Sequence, residues 1–150
     1  HERVALVSAQ PIFLALREVR EWAQNTKDAG GGRLIDSEWV QLNLARVHAK
    51  AEVLKLINWE LASAAGDSLN PADASAAKVF GTELATEAYR LLMEVLGTAA
   101  TLRQDSPGAL LRGRVERMHR ACLILTFGGG TNEVQRDIIG MVALGLPRSR

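Results

Sequence analysis

The feature that most limits the fold is a helical repeat: apolar residues recur every three or four positions along most of this 150-residue chain. No stretch alternates apolar with polar residues in the way that a half-buried strand does. The longest repeat predicts a helix that starts after Asp36 or Ser37 and continues to about Ala65. Its apolar stripe comprises Val40, Leu44, Val47, Ala51, Leu54, Ile57 and Leu61. An amphipathic pattern of this length predicts an all-α protein.

Glycine and proline set the boundaries of the other early helices. The first helix is expected from about Arg3 to Asn25, with a break or bend near Pro11, because proline removes a backbone donor. Its abrupt start suggests a fragment of a longer protein. A third helix should have Asn70 as its N-cap and Pro71 as its first residue, since proline already has the helical φ and needs no donor there.

Two further helices are expected in the C-terminal third. The fourth should place one apolar side inward, formed by Leu111, Val115, Met118, Cys122 and Leu125. A short fifth should run from about Asn132 to Ala143. Helices joined by short loops favour an up-and-down four-helix bundle with a short C-terminal fifth helix, so residues 1–150 are interpreted as one domain.

Composition excludes several classes of function. A net charge of +1 gives no reason to expect nucleic acid or an anionic membrane as a partner. No apolar run approaches the roughly 20 residues that span a bilayer. A single cysteine, Cys122, forms no internal disulfide, which favours a reducing, cytoplasmic location. His48 and His119 lie at no recognised metal-ligand spacing, so no metal site is predicted. No P-loop or nucleophile elbow is present, so the enzyme classes that use those motifs lack support.

The most informative motif is a run of three glycines, Gly128–Gly130, between Phe127 and Thr131. Without Cβ atoms the segment can adopt positive φ and lie flat against another surface. Thr131 is a natural N-cap for the fifth helix, whose apolar stripe should be Val134, Ile138 and Met141. A bare backbone that leads into a helix N-terminus suits a ligand bearing phosphate or ribose.

This segment resembles the C-terminal flavin-contacting turn of acyl-CoA dehydrogenases. The matching positions are Gly130–Thr131, Val134–Arg136 and Ile138–Ile139, followed by the tail Gly145–Arg148. The order of helices also resembles the C-terminal bundle of that family, without its N-terminal helical domain and middle β-domain. The resemblance implies FAD as cofactor, an acyl-CoA substrate, an electron-accepting flavoprotein, and contacts from Gly130, Thr131 and Glu133 to the flavin, with Glu133 at its adenosine end.

One departure from the family pattern concerns the catalytic base. The family's usual glutamate falls on Gly129, which cannot accept the α-proton of an acyl-CoA. Some members place the base on the first bundle helix, in a context that Glu2–Arg3 resembles. Glu2 is therefore the candidate base, and the alternative is an ordinary exposed glutamate.

Other family contacts map onto the bundle. Arg20 matches an arginine that reaches the flavin pyrophosphate of a neighbouring subunit, and the alternative is a surface arginine. Gly97 matches a glycine that contacts the same pyrophosphate, but Glu94 replaces the family's glutamine. Glu94 either faces the ligand and weakens flavin binding, or pairs with Arg90 one turn back.

The basic fourth helix has a structural and a functional interpretation. Arg112, Arg114, Arg117 and Arg120 could bind phosphate, but the pattern favours salt bridges or solvated positions. The tryptophans Trp22, Trp39 and Trp59 are interpreted as core or interface anchors.

Three functions follow in order of preference. The first is the C-terminal domain of a flavin-dependent acyl-CoA dehydrogenase, which contributes FAD contacts and an oligomer interface. The second is a non-catalytic subunit that stabilises a homologous partner, as Gly129 and Glu94 suggest. The third is an unrelated helical interaction module. The bare glycine turn needs a covering surface, so a homo-oligomer or hetero-oligomer assembled through the bundle is predicted.

Overall fold

The computed structural model describes residues 7–64 and 70–148, and within these ranges the chain is helical with no strand. The all-α bundle with a short C-terminal helix is confirmed. The described residues form five α-helices: α1 (Gln10–Asn25), α2 (Glu38–Ser63), α3 (Pro71–Leu96), α4 (Arg114–Cys122) and α5 (Asn132–Ala143). Short 3₁₀ turns lie at Leu34–Asp36, Thr98–Thr101, Leu110–Gly113 and Leu123–Thr126. Among the described helices, none is both long and apolar enough to cross a membrane.

Helix α3 is the centre of the bundle and packs against each of the other four helices. It is buried on nearly every side, and small residues such as Ala77, Gly81 and Ala85 let its neighbours approach closely. At Gly81 an added Cβ would lie 1.9 Å from Cγ1 of Val7, in the short segment before α1. A side chain at position 81 would therefore displace the segment that leads into α1.

The helix starts agree with the sequence in one case and differ in another. The N-cap of α3 is confirmed, because the Asn70 side chain accepts a 2.9 Å hydrogen bond from the backbone N–H of Ala72. The first helix, expected from Arg3, begins only at Gln10, and Pro11 lies in its first turn instead of at an internal bend. Proline is accommodated there because the first turn needs no donor. Residues 3–6 of the expected helix lie outside the described residues.

The fourth helix is shorter than predicted. Only Arg114–Cys122 is α-helical, and the residues on either side form 3₁₀ turns. Leu111 and Arg112 have φ values of 48° and 56°, a left-handed conformation that a right-handed helix cannot contain, so α4 begins only after them. The cause is a close approach of two backbones: a Cβ at Gly113 would lie 2.6 Å from the backbone N of Gln104.

The buried face of α5 was predicted incorrectly. Val134 is 49% exposed, and Ile138 and Met141 are only partly covered. The side that faces α3 instead buries Asn132 and Gln135, which are 5% and 0% exposed. The polar residues are on the inside because α3 supplies hydrogen-bond partners for this face.

Candidate functional site

The glycine turn, defined as residues Phe127–Thr131, has a backbone that only glycine adopts readily. Gly129 and Gly130 have φ values of 71° and 98°. The Gly128 N–H donates to the carbonyl of Ile124 at 2.8 Å, which ends the preceding 3₁₀ turn. A Cβ at Gly130 would lie 2.7 Å from Nε2 of Gln135. Gly130 is therefore required both by its φ and by the packing behind it.

The end of α5 next to the turn holds a carboxylate. Thr131 caps the helix, as predicted, and its hydroxyl oxygen accepts from the backbone N–H of Val134 at 3.3 Å. The pKa of Glu133 is held below its usual value by a hydrogen bond from its own backbone N–H, and next by one from the Thr131 hydroxyl. A negative group thus already occupies part of the positive helix end. This arrangement favours a ligand's hydroxyl groups over its phosphates at this point.

A buried lysine lies directly beneath the glycine turn. Lys78, on α3, is 1% exposed. Its Nζ donates to the carbonyls of Gly130 at 2.8 Å and Thr126 at 3.1 Å, and to Oδ1 of Asn132 at 2.7 Å. Burial lowers the pKa of Lys78, while the charges of Glu133 and Glu83 oppose that shift. These bonds join α3 to both ends of the turn.

Asn132 and Gln135 complete this polar floor, the name used below for Lys78, Thr82, Asn132 and Gln135. Asn132 Nδ2 donates to the Thr82 hydroxyl at 3.1 Å, and Gln135 Nε2 donates to the Gly129 carbonyl at 3.1 Å. None of these four residues was predicted from the sequence to belong to a site. One signal was available, since Lys78 is the single charged residue between Asp73 and Glu83 on a helix otherwise rich in alanine.

A cavity of about 550 Å³ lies between α3 and the glycine turn. Its lining residues are Glu83, Thr86, Glu87, Arg90, Thr126, Phe127, Thr131, Asn132 and Glu133. Charges dominate its α3 side, where Glu87 pairs with Lys50 and with Arg46 at 2.8 Å. The hydrogen bond from Lys50 holds the pKa of Glu87 below its usual value.

Arg20 lies elsewhere on the bundle. It borders a second cavity of about 530 Å³ together with Phe13, Arg17 and His48. The side chains of Arg17 and Arg20 are exposed, and neither forms an ion pair with any described residue. The two cavities share no lining residue, so the structure does not bring Arg20 and the glycine turn together.

Gly97 and Glu94 lie at the end of α3. Gly97 ends the helix with a φ of 72°, and its N–H donates to the carbonyl of Met93 at 3.0 Å. Glu94 pairs with Arg90 and accepts from Nδ2 of Asn43 at 3.2 Å. Of the two interpretations of Glu94, the pairing with Arg90 is confirmed.

Two of the four arginines in and just before α4 form ion pairs within the bundle. Arg114 pairs with Glu18 at 2.7 Å, and Arg120 pairs with Glu116 at 2.9 Å. Arg112 and Arg117 border a further cavity next to α1. In the described ranges, no group of three or more His, Cys, Asp or Glu residues is placed to hold a metal ion.

Comparison with known families decides the identity of the bundle. The family described as "Acyl-CoA dehydrogenase, C-terminal domain" matches residues 1–144. The chain belongs to this family. The resemblance found in the sequence is therefore confirmed, and an unrelated helical module is excluded.

Three relatives illustrate how this acyl-CoA dehydrogenase domain compares with longer proteins. Acyl-CoA dehydrogenase FadE26 of Mycobacterium tuberculosis is 89% identical over 155 residues, which cover 99% of this chain and 38% of that protein. The crystal structure of the ChsE4-ChsE5 complex from the same organism has 91% identity and a TM-score of 0.91, and the match covers 96% of this chain and 37% of that one.

A solved structure with lower sequence identity has a similar fold. The Tcur3481-Tcur3483 steroid ACAD is 40% identical with a TM-score of 0.84, over 92% of this chain and 35% of that chain. The chain thus spans well under half the length of the relatives it matches.

Family membership sharpens the question of the base. The sequence resemblance predicts that the family's usual glutamate falls on Gly129. Among the described residues, the carboxylate nearest to Gly129 along the chain is Glu133, and it is bound to the helix end. Glu2, the candidate base from the sequence, lies outside the described residues.

Proposed function

We propose that this domain supplies flavin contacts and an assembly surface to a full-length, flavin-dependent acyl-CoA dehydrogenase. The observation that supports the proposal is the glycine turn. Its backbone carries no side chains at the three glycines, has positive φ at two of them and leads into the N-terminus of α5. Gly130, Thr131 and Glu133 would hold FAD, and the bound flavin would supply the acceptor for a hydride from Cβ of the acyl group. The substrate is an acyl-CoA and the electron acceptor a separate flavoprotein.

The residues of the turn fit a flavin. Gly129 and Gly130 offer a surface without side chains, against which a flat or extended ligand can lie. Gly130, Thr131 and Glu133 would contact the flavin of their own subunit, and the Glu133 carboxylate suits ribose hydroxyls. Arg20 and Gly97 would serve the pyrophosphate of a neighbouring subunit's flavin, which agrees with their separation from the turn.

The test of the catalytic step is Glu2→Gln in the full-length protein. The amide keeps the shape of the side chain and loses its basicity, so the rate of α-proton removal should fall by about 10²–10⁴-fold. Flavin content, read from the absorbance spectrum, should stay unchanged. Full activity of this variant, assayed without a partner subunit, would exclude Glu2 as the base.

A second candidate function is a non-catalytic subunit of a hetero-oligomeric acyl-CoA dehydrogenase. The absence of a carboxylate at Gly129 favours it, and a relative has been solved as a ChsE4-ChsE5 complex. In this case Glu2→Gln should leave the activity of the assembled complex nearly intact. Flavin spectra of the full-length protein, purified alone and with its homologous partner, distinguish a self-sufficient subunit from a dependent one.

Assembly through the bundle is part of the proposal. An α2 outer face, defined as Trp39, Leu42, Val53, Leu56 and Trp59, leaves large apolar side chains 45% to 62% exposed. Trp39 and Trp59 are thus not core residues, and we assign them to an interface with a second copy or a homologous subunit. A buried, unpaired Cys122 agrees with a cytoplasmic location.

A further inference from the structure

Lys78 has an unusual combination of burial and bonding. All three N–H donors of its ammonium group are used, and all three acceptors are neutral oxygens. Glu83 and Glu133 act on it only through their fields and not as direct partners. Burying a charge without a counter-charge is unfavourable, and a well-packed apolar residue generally gives a more stable helix contact. Packing of α3 alone therefore does not account for a lysine at this position.

The bonds to the turn fix the direction of its peptide groups. The peptide bonds of the turn are trans, so the carbonyl of Gly130 and the N–H of Thr131 point in opposite directions. The Gly130 carbonyl faces Lys78, below the turn, and the Thr131 N–H therefore faces away from α3. By the same argument the Gly129 carbonyl faces Gln135, and the Gly130 N–H points away from that side chain.

The position of Asn132 depends on the same cation. Asn132 is the first residue of α5, and its Oδ1 receives the shortest of the three bonds from Lys78, at 2.7 Å. Its Nδ2 is held by Thr82, one turn along α3 from Lys78. The Lys78 side chain thus sets both the orientation of the glycine turn and the start of α5, the helix that follows it.

We infer that Lys78 is a positioning residue for the flavin site, which holds the glycine turn from behind so that the N–H groups of Gly130 and Thr131 face the ligand. The inference rests on the proposed function, because the ligand is taken to be the flavin. Lys78 acts through the backbone and does not touch the flavin itself.

The experiment uses the full-length protein with its homologous partner subunit and compares wild type with Lys78→Met. Methionine keeps the length of the side chain and its apolar stem but removes all three donors. Lys27→Met, on an exposed loop, is the matched control. Hydrogen exchange of the amides in residues 127–133 reports the turn directly, and titration with FAD after removal of the flavin reports affinity.

The expected result is faster exchange confined to the turn and the first residues of α5, and a roughly tenfold or greater loss of FAD affinity. Exchange in the rest of α3 should stay as slow as in the wild type. The Michaelis constant for acyl-CoA should change less than the affinity for FAD, because Lys78 positions the flavin side of the site. The Lys27→Met control should match wild type in every measurement.

Two outcomes overturn the inference. If exchange of residues 127–133 is unchanged in Lys78→Met, Lys78 does not hold the turn, and this result needs no flavin. If exchange rises but FAD affinity does not fall, the role of Lys78 is purely structural. Should Lys78→Met fail to fold, Lys78→Gln, which keeps two donors, must give an intermediate exchange rate and affinity. Wild-type protein that binds no FAD with or without its partner would refute the proposed function, while the exchange measurement still decides the role of Lys78.

Discussion

The polar floor and the α2 outer face both depart from the usual burial of apolar residues and exposure of polar ones. The floor buries polar side chains, whereas the outer face exposes apolar ones. The floor buries a cation and two amides, with Lys78 and Gln135 1% and 0% exposed. The outer face exposes large apolar side chains, with Leu42 and Trp59 each 62% exposed. Neither arrangement is the most stable choice for an isolated bundle. This difference supports both proposals, namely that the floor shapes a ligand site and that the α2 outer face contacts another protein.

The strongest test of the floor is Gly130→Ala. At a φ of 98° an L-residue is strained by about 1–3 kcal/mol, and the new Cβ would meet Gln135 Nε2 at 2.7 Å. We expect a marked loss of FAD affinity in the full-length protein, measured by titration of the apoprotein. Gly31→Ala is the control, because Gly31 also has positive φ, at 83°, but nothing lies within 4 Å of its Cβ position. Equal losses in both variants would contradict a specific role for the contact with Gln135.

The α2 outer face is tested by Leu56→Glu. Burying a leucine contributes about 1.5–3 kcal/mol, so a charge there should weaken assembly by roughly tenfold or more. Sedimentation of the full-length protein over a range of concentrations measures the effect. Ala62→Glu places the same charge on a different side of α2, also at an exposed position. A strictly monomeric wild type, or equal effects of both variants, would show that the face is not an interface.

The sequence predicted those features that depend on residues near each other in the chain. The start of α3 follows from Asn70 and Pro71, and the Arg90–Glu94 pair follows from helical spacing. The start of α4 was not predictable, because it depends on the backbone of Gln104 lying against Gly113, the residue before the helix.

The polar floor was missed for the same reason. The stripe Val134, Ile138 and Met141 has the period of a buried helix face, but burial of α5 is decided by Lys78 and Thr82, fifty or more positions earlier. Periodicity shows that a helix has two sides. It does not show which side meets a distant partner with hydrogen-bonding groups of its own.

A smaller effect is expected at Glu87, which lies on α3 and forms ion pairs with two basic residues of α2. Its folded pKa lies below the usual 4.5, chiefly through the Lys50 hydrogen bond. The ionised form therefore stabilises the fold above the unfolded pKa, and this contribution disappears as pH falls through the folded pKa. Glu87→Gln should remove about 1 kcal/mol or less at neutral pH and flatten the loss of stability below about pH 5. Denaturant unfolding of the full-length protein at several pH values measures this difference, and parallel curves for both proteins would contradict it.

The smallest effect is expected at Glu94, which lies on α3, as Lys78 and Thr82 do, but is exposed and pairs with Arg90 on the same helix. Since Glu94 is bound to Arg90 and Asn43, its carboxylate is not free to oppose a pyrophosphate. Glu94→Gln should change the free energy of unfolding by only about 0.2–0.5 kcal/mol, the range for a pair one helical turn apart. FAD affinity, titrated with the same apoprotein, should stay within about twofold of wild type, well below a tenfold change of 1.4 kcal/mol. A large gain in FAD affinity would instead mean that Glu94 leaves Arg90 in the assembled protein and faces the neighbouring subunit's flavin, where its charge weakens binding.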